Sequence, residues 1–318
     1  MEIGRRENDV KKPKLCLFES LSDGIVMNIL ILLAVSAYSP SHFIFALLTC
    51  KRFHALGMDA SVLNKASWEC FPLTPNKWSY SANRFLKRCA DSGNLEANYT
   101  LGMIRYYCLG DREGGLYYIT KAGKRSHLLA LYSMSVIKLH GTPTDIISGA
   151  STCLTAATLG NLDAIREMAY LYDKGIGVGR SISEARKMLG DVNFMEKELE
   201  LEGEEYAATY HDGLGLIKGP HPVNHFMVEW FKMRRNVDNG DLKVCSYSAC
   251  GRVETKAGQF QKYEVCDSLP YCSHVCRFRD WDIRDKKTCR FRDEDLIDEQ
   301  KLSKIIGDVA RERNFMLF

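Results

Sequence analysis

The sequence predicts a mainly α-helical chain: a helical N-terminal module, a short solenoid of helix pairs, and a small cysteine-rich module toward the C-terminus. Three observations carry this. Apolar residues recur at helical spacing over residues 17–67. A weakly repeated segment centres on Ala97, Ala130 and Ala164, spaced by 33 and 34 residues. Six of the 12 cysteines fall between Cys245 and Cys289, where even scattering would place about two.

Composition bounds the rest. The 318 residues are 26% charged and 46% hydrophobic, which fits folded domains and excludes a wholly disordered chain. A net charge of +3, from 43 basic and 40 acidic residues, is too small for a dedicated nucleic-acid binder. The longest apolar run, Ile25 to Val35, is broken by Asn28 and is shorter than the roughly 20 residues a membrane span needs. Charges of both signs in MEIGRRENDVKKPK argue against a secretory leader. The expected location is therefore the nucleus, the cytoplasm or both, where cysteines serve as thiols or metal ligands rather than disulfides.

Residues 1–15 are expected to be a disordered basic tail. Arg5-Arg6 and Lys11-Lys12-Pro13-Lys14 read either as a nuclear import signal or as a solvated end. In residues 16–67, Ser22 caps a helix from Asp23 through Leu33, with Asp23 in its positive first turn. Ile25, Ile29, Leu32 and Leu33 share one face, yet Val26, Leu30 and Ile31 are apolar too. A short helix that is apolar all round needs cover from its own domain or from a partner. A break at Ser39-Pro40 precedes Phe43, Leu47, Leu48, Cys50-Lys51-Arg52-Phe53 and Leu56.

Residues 80–190 hold the repeats: GNLEANYTLGMIRYY from Gly93, SHLLALYSMSVIKLHG from Ser126 and GNLDAIREMAYLYDKGIGV from Gly160. The small alanines permit close helix approach. Leu101, Met134 and Met168 lie four residues on, and Ala122, Ala156-Ala157 and Ala185 mark second helices. Such units bury their faces only by stacking. Gly175-Ile-Gly-Val-Gly179 imitates a phosphate loop, but no strand precedes it and no Gly-Lys-Ser follows, so it reads as a turn between paired helices. Residues 191–244 read as a linker, with six glutamates between Glu196 and Glu205 and an ordered joint from His221 to Lys232.

The cysteines pair as Cys245-x4-Cys250 and Cys272-x3-Cys276. Two thiolates on each tight turn can reach one ion, giving a closed four-thiolate zinc site of the structural kind, with no open position for catalysis. Residues 245–289 resemble a MYND zinc finger, including Tyr271 beside Cys272 and Asp280-Trp281 after Cys276. That resemblance implies two cross-braced zinc ions, with the first site on Cys245, Cys250, Cys272 and Cys276. The second departs from the family: Tyr263 stands where a cysteine is expected and Asp285 where a histidine is, leaving Cys266, Asp285 and Cys289. One zinc ion is expected, and the second site is degenerate. The family binds short proline-rich peptides beside its zinc. The basic residues Arg277, Arg279, Arg284, Lys286, Lys287, Arg290 and Arg292 are interrupted by Asp280, Asp282 and Asp285, which favours a solvated face over an acidic-partner site. In residues 290–318, Leu302, Ile305, Ile306 and Val309 mark one face of a C-terminal helix.

FESLSD, IVMNILILL and Cys-Lys-Arg-Phe resemble an F-box. The resemblance implies a three-helix module that binds the Skp adaptor of cullin-RING ubiquitin ligases, here through Leu21, Ile25, Ile29, Leu30, Leu33, Leu48 and Phe53. Leu21-Ser22 replaces the usual Leu-Pro, with serine keeping the cap. The repeats are similar to Sel-type relatives of tetratricopeptide repeats, and the order of the three segments resembles a plant F-box protein family. The function implied is that of a non-catalytic substrate receptor, whose F-box docks the adaptor and cullin complex and whose repeats and finger hold a target protein. The alternative is a zinc-dependent interaction scaffold or transcriptional co-regulator without a ligase role. A MYND-bearing methyltransferase is disfavoured because its Asn-His-Ser cofactor signature is missing.

Overall fold

Ser22 starts the first helix. Its Oγ accepts the Ile25 N–H at 3.4 Å, so α1 (Asp23–Val35) begins on a serine cap. The computed structural model describes residues 17–202, 221–234, 242–260 and 269–283. They fall in two compact units, Met1–Phe71 and Pro72–Phe318.

In the N-terminal unit, α1 is followed by α2 (Pro40–Thr49), α3 (Lys51–Gly57) and a single turn, α4 (Ala60–Leu63). Pro40 opens α2, where its missing N–H costs nothing. The Cys50 sulfur caps α3 by accepting from the Phe53 N–H. Val26, Leu30 and Ala34, one turn apart, form the buried face of α1, with Phe43, Leu47, Val62 and Leu63 completing the core. The chain returns over α1, where the Ala34 carbonyl accepts from the Ser67 N–H at 3.0 Å and the Cys70 thiol at 3.2 Å. Arg52 staples the start of the unit: Nε donates to Asp23 at 2.8 Å, and its terminal nitrogens donate to the Phe18 and Leu21 carbonyls.

The second unit is a zigzag of consecutive packed helices: α5 (Tyr80–Asp91), α6 (Leu95–Met103), α7 (Arg112–Gly123), α8 (Leu128–Leu139), α9 (Pro143–Thr158), α10 (Leu162–Lys174) and α11 (Ile182–Glu202). Three capping bonds repeat in register. Asn94, His127 and Asn161 accept from the N–H groups of Ala97, Ala130 and Ala164 at 2.9, 3.2 and 2.8 Å. Each alanine is fully buried, as close helix packing requires. Leu101 and Met168 are buried four residues on, whereas Met134 is half-buried. Ala122, Ala156, Ala157 and Ala185 are buried on the second helices. The chain is mainly α: among the described residues the β pairing is a single bridge, Val244 to Val253.

Gly175 and Gly177 take left-handed φ of +70° and +68° between α10 and α11. A Cβ on Gly177 would sit 2.8 Å from the Ile146 carbonyl oxygen, so the glycine-rich stretch is a turn pressed against α9.

Two further helices follow, α12 (Pro222–Arg234) and α13 (His274–Ile283). Val223, Phe226, Met227, Trp230 and Phe231 bury one face of α12, and Phe226 meets Trp78 edge-on at 5.2 Å. Among the described residues, no helix is long and apolar enough to cross a membrane. The expected basic tail at 1–15 and C-terminal helix at 290–318 lie outside the described residues, as do Cys266, Asp285 and Cys289.

Candidate functional site

The first candidate site is built on two turns. One is the hairpin around the Val244–Val253 bridge, in which the Cys245 N–H donates to the Arg252 carbonyl at 2.8 Å. Gly251 turns it with φ +71°, and a Cβ there would lie 2.7 Å from backbone and side-chain atoms of α12. Glycine is needed for both conformation and proximity. The other turn enters α13, whose start is capped by Ser273 Oγ accepting from the Cys276 N–H at 3.1 Å. Their ligand atoms converge: the sulfurs of Cys245, Cys250, Cys272 and Cys276 all lie within 4.8 Å of one another, and all four residues are buried.

These four cysteines lie close enough to bind one metal ion. Cys272 Sγ is 3.5 Å from both Cys250 Sγ and Cys276 Sγ. A tetrahedron with Zn–S bonds of about 2.3 Å has sulfur–sulfur edges of about 3.8 Å, so small shifts admit the ion. None of the four is in a disulfide. A buried cation faces them: Arg252 Nη1 lies 3.6 Å from Cys272 Sγ and 4.0 Å from Cys250 Sγ. Hydrogen bonds from Cys245, Cys272 and Cys276, joined by the charge of Arg252, hold the Cys250 thiol well below its ordinary range. A buried guanidinium needs an anionic neighbour, and a four-thiolate metal centre supplies one. Four protein sulfurs leave no position for water, so the arrangement suits holding structure.

The centre is continuous with the repeat core, since all four cysteines share a buried cluster with Leu131, Tyr132, Ala164 and Met168. Polar bonds reinforce this. Arg252 Nη2 donates to Ser133 Oγ of α8 at 3.0 Å, and His140 Nε2 donates to the Cys272 carbonyl at 2.7 Å. Glu167 of α10 accepts the His274 and Val275 N–H groups at 3.3 and 3.1 Å, serving as a remote cap for α13. Its burial pushes its carboxyl up to about 7, against the downward pull of those two amides. Sequence reasoning missed Arg252, Ser133 and Glu167. The only signal was that a buried helix face carried polar residues at one repeat position: Thr100, Ser133 and Glu167.

The second candidate site is the outward face of the N-terminal unit. Of the residues implied by the F-box resemblance, Ile25, Ile29 and Leu48 are exposed, and Leu21, Leu33 and Phe53 are half-buried. Phe18 stands edge-on to Phe53 at 5.5 Å. Leu30 is a correction: at 1% exposure it lies inside the unit's own core, one turn from Val26 and Ala34, and is not open to a partner. The face extends instead through Leu32, Val35 and Phe45, with Leu32 68%, Phe45 67% and Leu48 71% exposed. Isolated surface leucines are ordinary, but Ile25, Ile29, Leu32, Val35, Phe45 and Leu48 together leave much large apolar surface exposed on two short helices.

Known plant proteins match this chain over most of its length. The family described as plant tetratrico peptide repeats matches residues 69–146. F-box protein At5g50450 of Arabidopsis thaliana is 40% identical over 282 residues, covering 85% of this chain and 84% of that protein. F-box protein At1g67340 of the same plant is 36% identical over 301 residues, covering 85% and 79%. Among solved structures, a Sel1 repeat protein from Oxalobacter formigenes aligns with a TM-score of 0.43 at 18% identity, covering 57% of this chain and 56% of its own. The Escherichia coli protective antigen c5321, which displays an SLR fold, aligns at 0.39 and 16%, covering 59% and 42%. With relatives at 40% and 36% identity matched along most of both chains, the chain belongs to the plant F-box protein family.

Proposed function

We propose that this protein is the substrate-receptor subunit of a Skp–cullin ubiquitin ligase. The observation that carries the reading is the exposed apolar face of α1 and α2 around Ile25, Ile29, Leu32, Phe45 and Leu48. It is the surface an adaptor would bury, on a module whose relatives are F-box proteins. The protein contributes proximity and orientation, while transfer chemistry belongs to other subunits. Repeats and finger would hold the target. In this reading Cys245, Cys250, Cys272 and Cys276 bind one zinc ion in a MYND-type finger, and the ion supplies folding energy only. A nuclear or cytoplasmic location goes with it.

Co-purification with a Skp-type adaptor tests the reading. Wild type is expected to bring the adaptor down, and Leu32→Glu is expected to lose it while unfolding at the same temperature. A folded wild type that brings down no adaptor would leave the zinc-dependent scaffold as the function.

A further inference from the structure

The first helices of the repeats, α6, α8 and α10, carry a line of acidic and hydroxyl side chains. Along that line lie Glu96, Tyr99, Tyr132, Ser133, Asp163 and Glu167. Tyr99 and Tyr132 each reach one repeat onward, to Ser133 at 3.4 Å and to Glu167 at 3.4 Å. Stacked repeats commonly present such a face to a ligand. Here the chain's own C-terminal part occupies it. His221, at the start of α12, sits 2.5 Å from Glu96 and edge-on to Tyr99 at 5.1 Å. Arg252 reaches Ser133, and its guanidinium carbon lies 5.9 Å from the centre of the Tyr132 ring. The amides opening α13 sit on Glu167, and Arg279 pairs with Asp163. The occupant is complementary, since N–H groups of His221, of the opening of α13 and of Arg279 each meet a carboxylate of the line. It also advances in order, with residue 221 on the first repeat, 252 on the second and 274–279 on the third.

Two of the four cysteines bracket the turn whose amides meet Glu167. Cys272 and Cys276 bracket Ser273, His274 and Val275, and the Cys272 carbonyl itself accepts from His140. Arg252 follows Cys250 by two residues in the other turn. We infer that the metal centre locks α12 and the finger onto the acidic first-helix face of the repeats as an intramolecular ligand, and that metal loss opens this face. The inference rests on the zinc reading above. The finger is then no separate bead: the metal decides whether this acidic face is covered, and a target held by the zinc-bound protein meets other surfaces of the repeats and finger.

Amide hydrogen exchange on the full chain, with zinc content measured in parallel, tests this. The probes are a zinc chelator, Cys272→Ser and Glu167→Gln. Chelation is expected to speed exchange in α8 and α10 about tenfold or more, as well as in the finger, with α1 to α3 unchanged. Glu167→Gln, which keeps all four ligands, is expected to hold zinc one-to-one yet release it at a lower chelator concentration. Zinc bound one-to-one with faster exchange confined to 242–283 would overturn the inference and leave the zinc reading standing. A folded protein with no zinc, unaffected by chelator, would overturn both.

Discussion

Leu30 and Leu32 are two residues apart on one helix and do opposite work. Leu30 fills the core of the N-terminal unit, while Leu32 stands in solvent. Leu30→Ala should therefore cost about 2–5 kcal/mol of stability in this unit, measured by denaturant unfolding. Leu32→Ala should leave stability within about 0.5 kcal/mol of wild type. The sequence could not separate the two, because α1 is apolar all round and periodicity alone does not say which side the partner takes. Glu96 gives a pH prediction. Burial opposes its charge, but His221 and hydrogen bonds from His127 and His221 outweigh that and hold its carboxyl well below the ordinary range. A depressed carboxylate contributes stability that is present above the unfolded value of about 4.5 and lost as pH falls below it. Glu96→Gln should lower the melting temperature near neutral pH, and the gap to wild type should narrow as pH falls below that value.

At the scale of elements, the repeats were the most legible part. Asn94, His127 and Asn161 precede their alanines by three residues, and each caps its helix as helix-start chemistry demands. Asn161→Ala should cost about 1 kcal/mol, within a range of roughly 0.5–2 for lost caps, read as a lower thermal midpoint of the repeat unit. Helix α12 was only partly legible. Its apolar residues Val223, Phe226, Met227, Trp230 and Phe231 fall at helical spacing, so order could be read. The surface that receives them could not, since Trp78 lies about half the chain away. The cysteine pairs were legible because two short spacings bring four sulfurs into one cluster of the size a single metal ion needs. Arg252 was not, because a lone arginine after a cysteine carries no sign that it is buried. Arg252→Met should weaken zinc retention in a chelator titration, since it removes the cation beside the sulfurs. Unchanged retention would mean that Arg252 only packs.

At the scale of the whole molecule, the sequence separates into an N-terminal unit with exposed apolar side chains and a repeat unit that carries a four-cysteine cluster within its own core. The order of the segments made the family readable, whereas the continuity of the finger with the repeats depends on contacts between residues more than a hundred positions apart, such as His140 with Cys272 and Glu167 with Val275. The exposed face of α1 and α2 is the surface proposed to dock a Skp-type adaptor. Titration calorimetry of the full chain with that adaptor, at several temperatures, tests it most directly. Burial of this face predicts saturable one-to-one binding with a negative heat-capacity change. Leu32→Glu and Leu48→Glu should each weaken binding by about 100-fold, the size expected when a buried apolar anchor is replaced by a charge. Equal affinity of wild type and both variants, or no binding by a folded wild type, would contradict the claim.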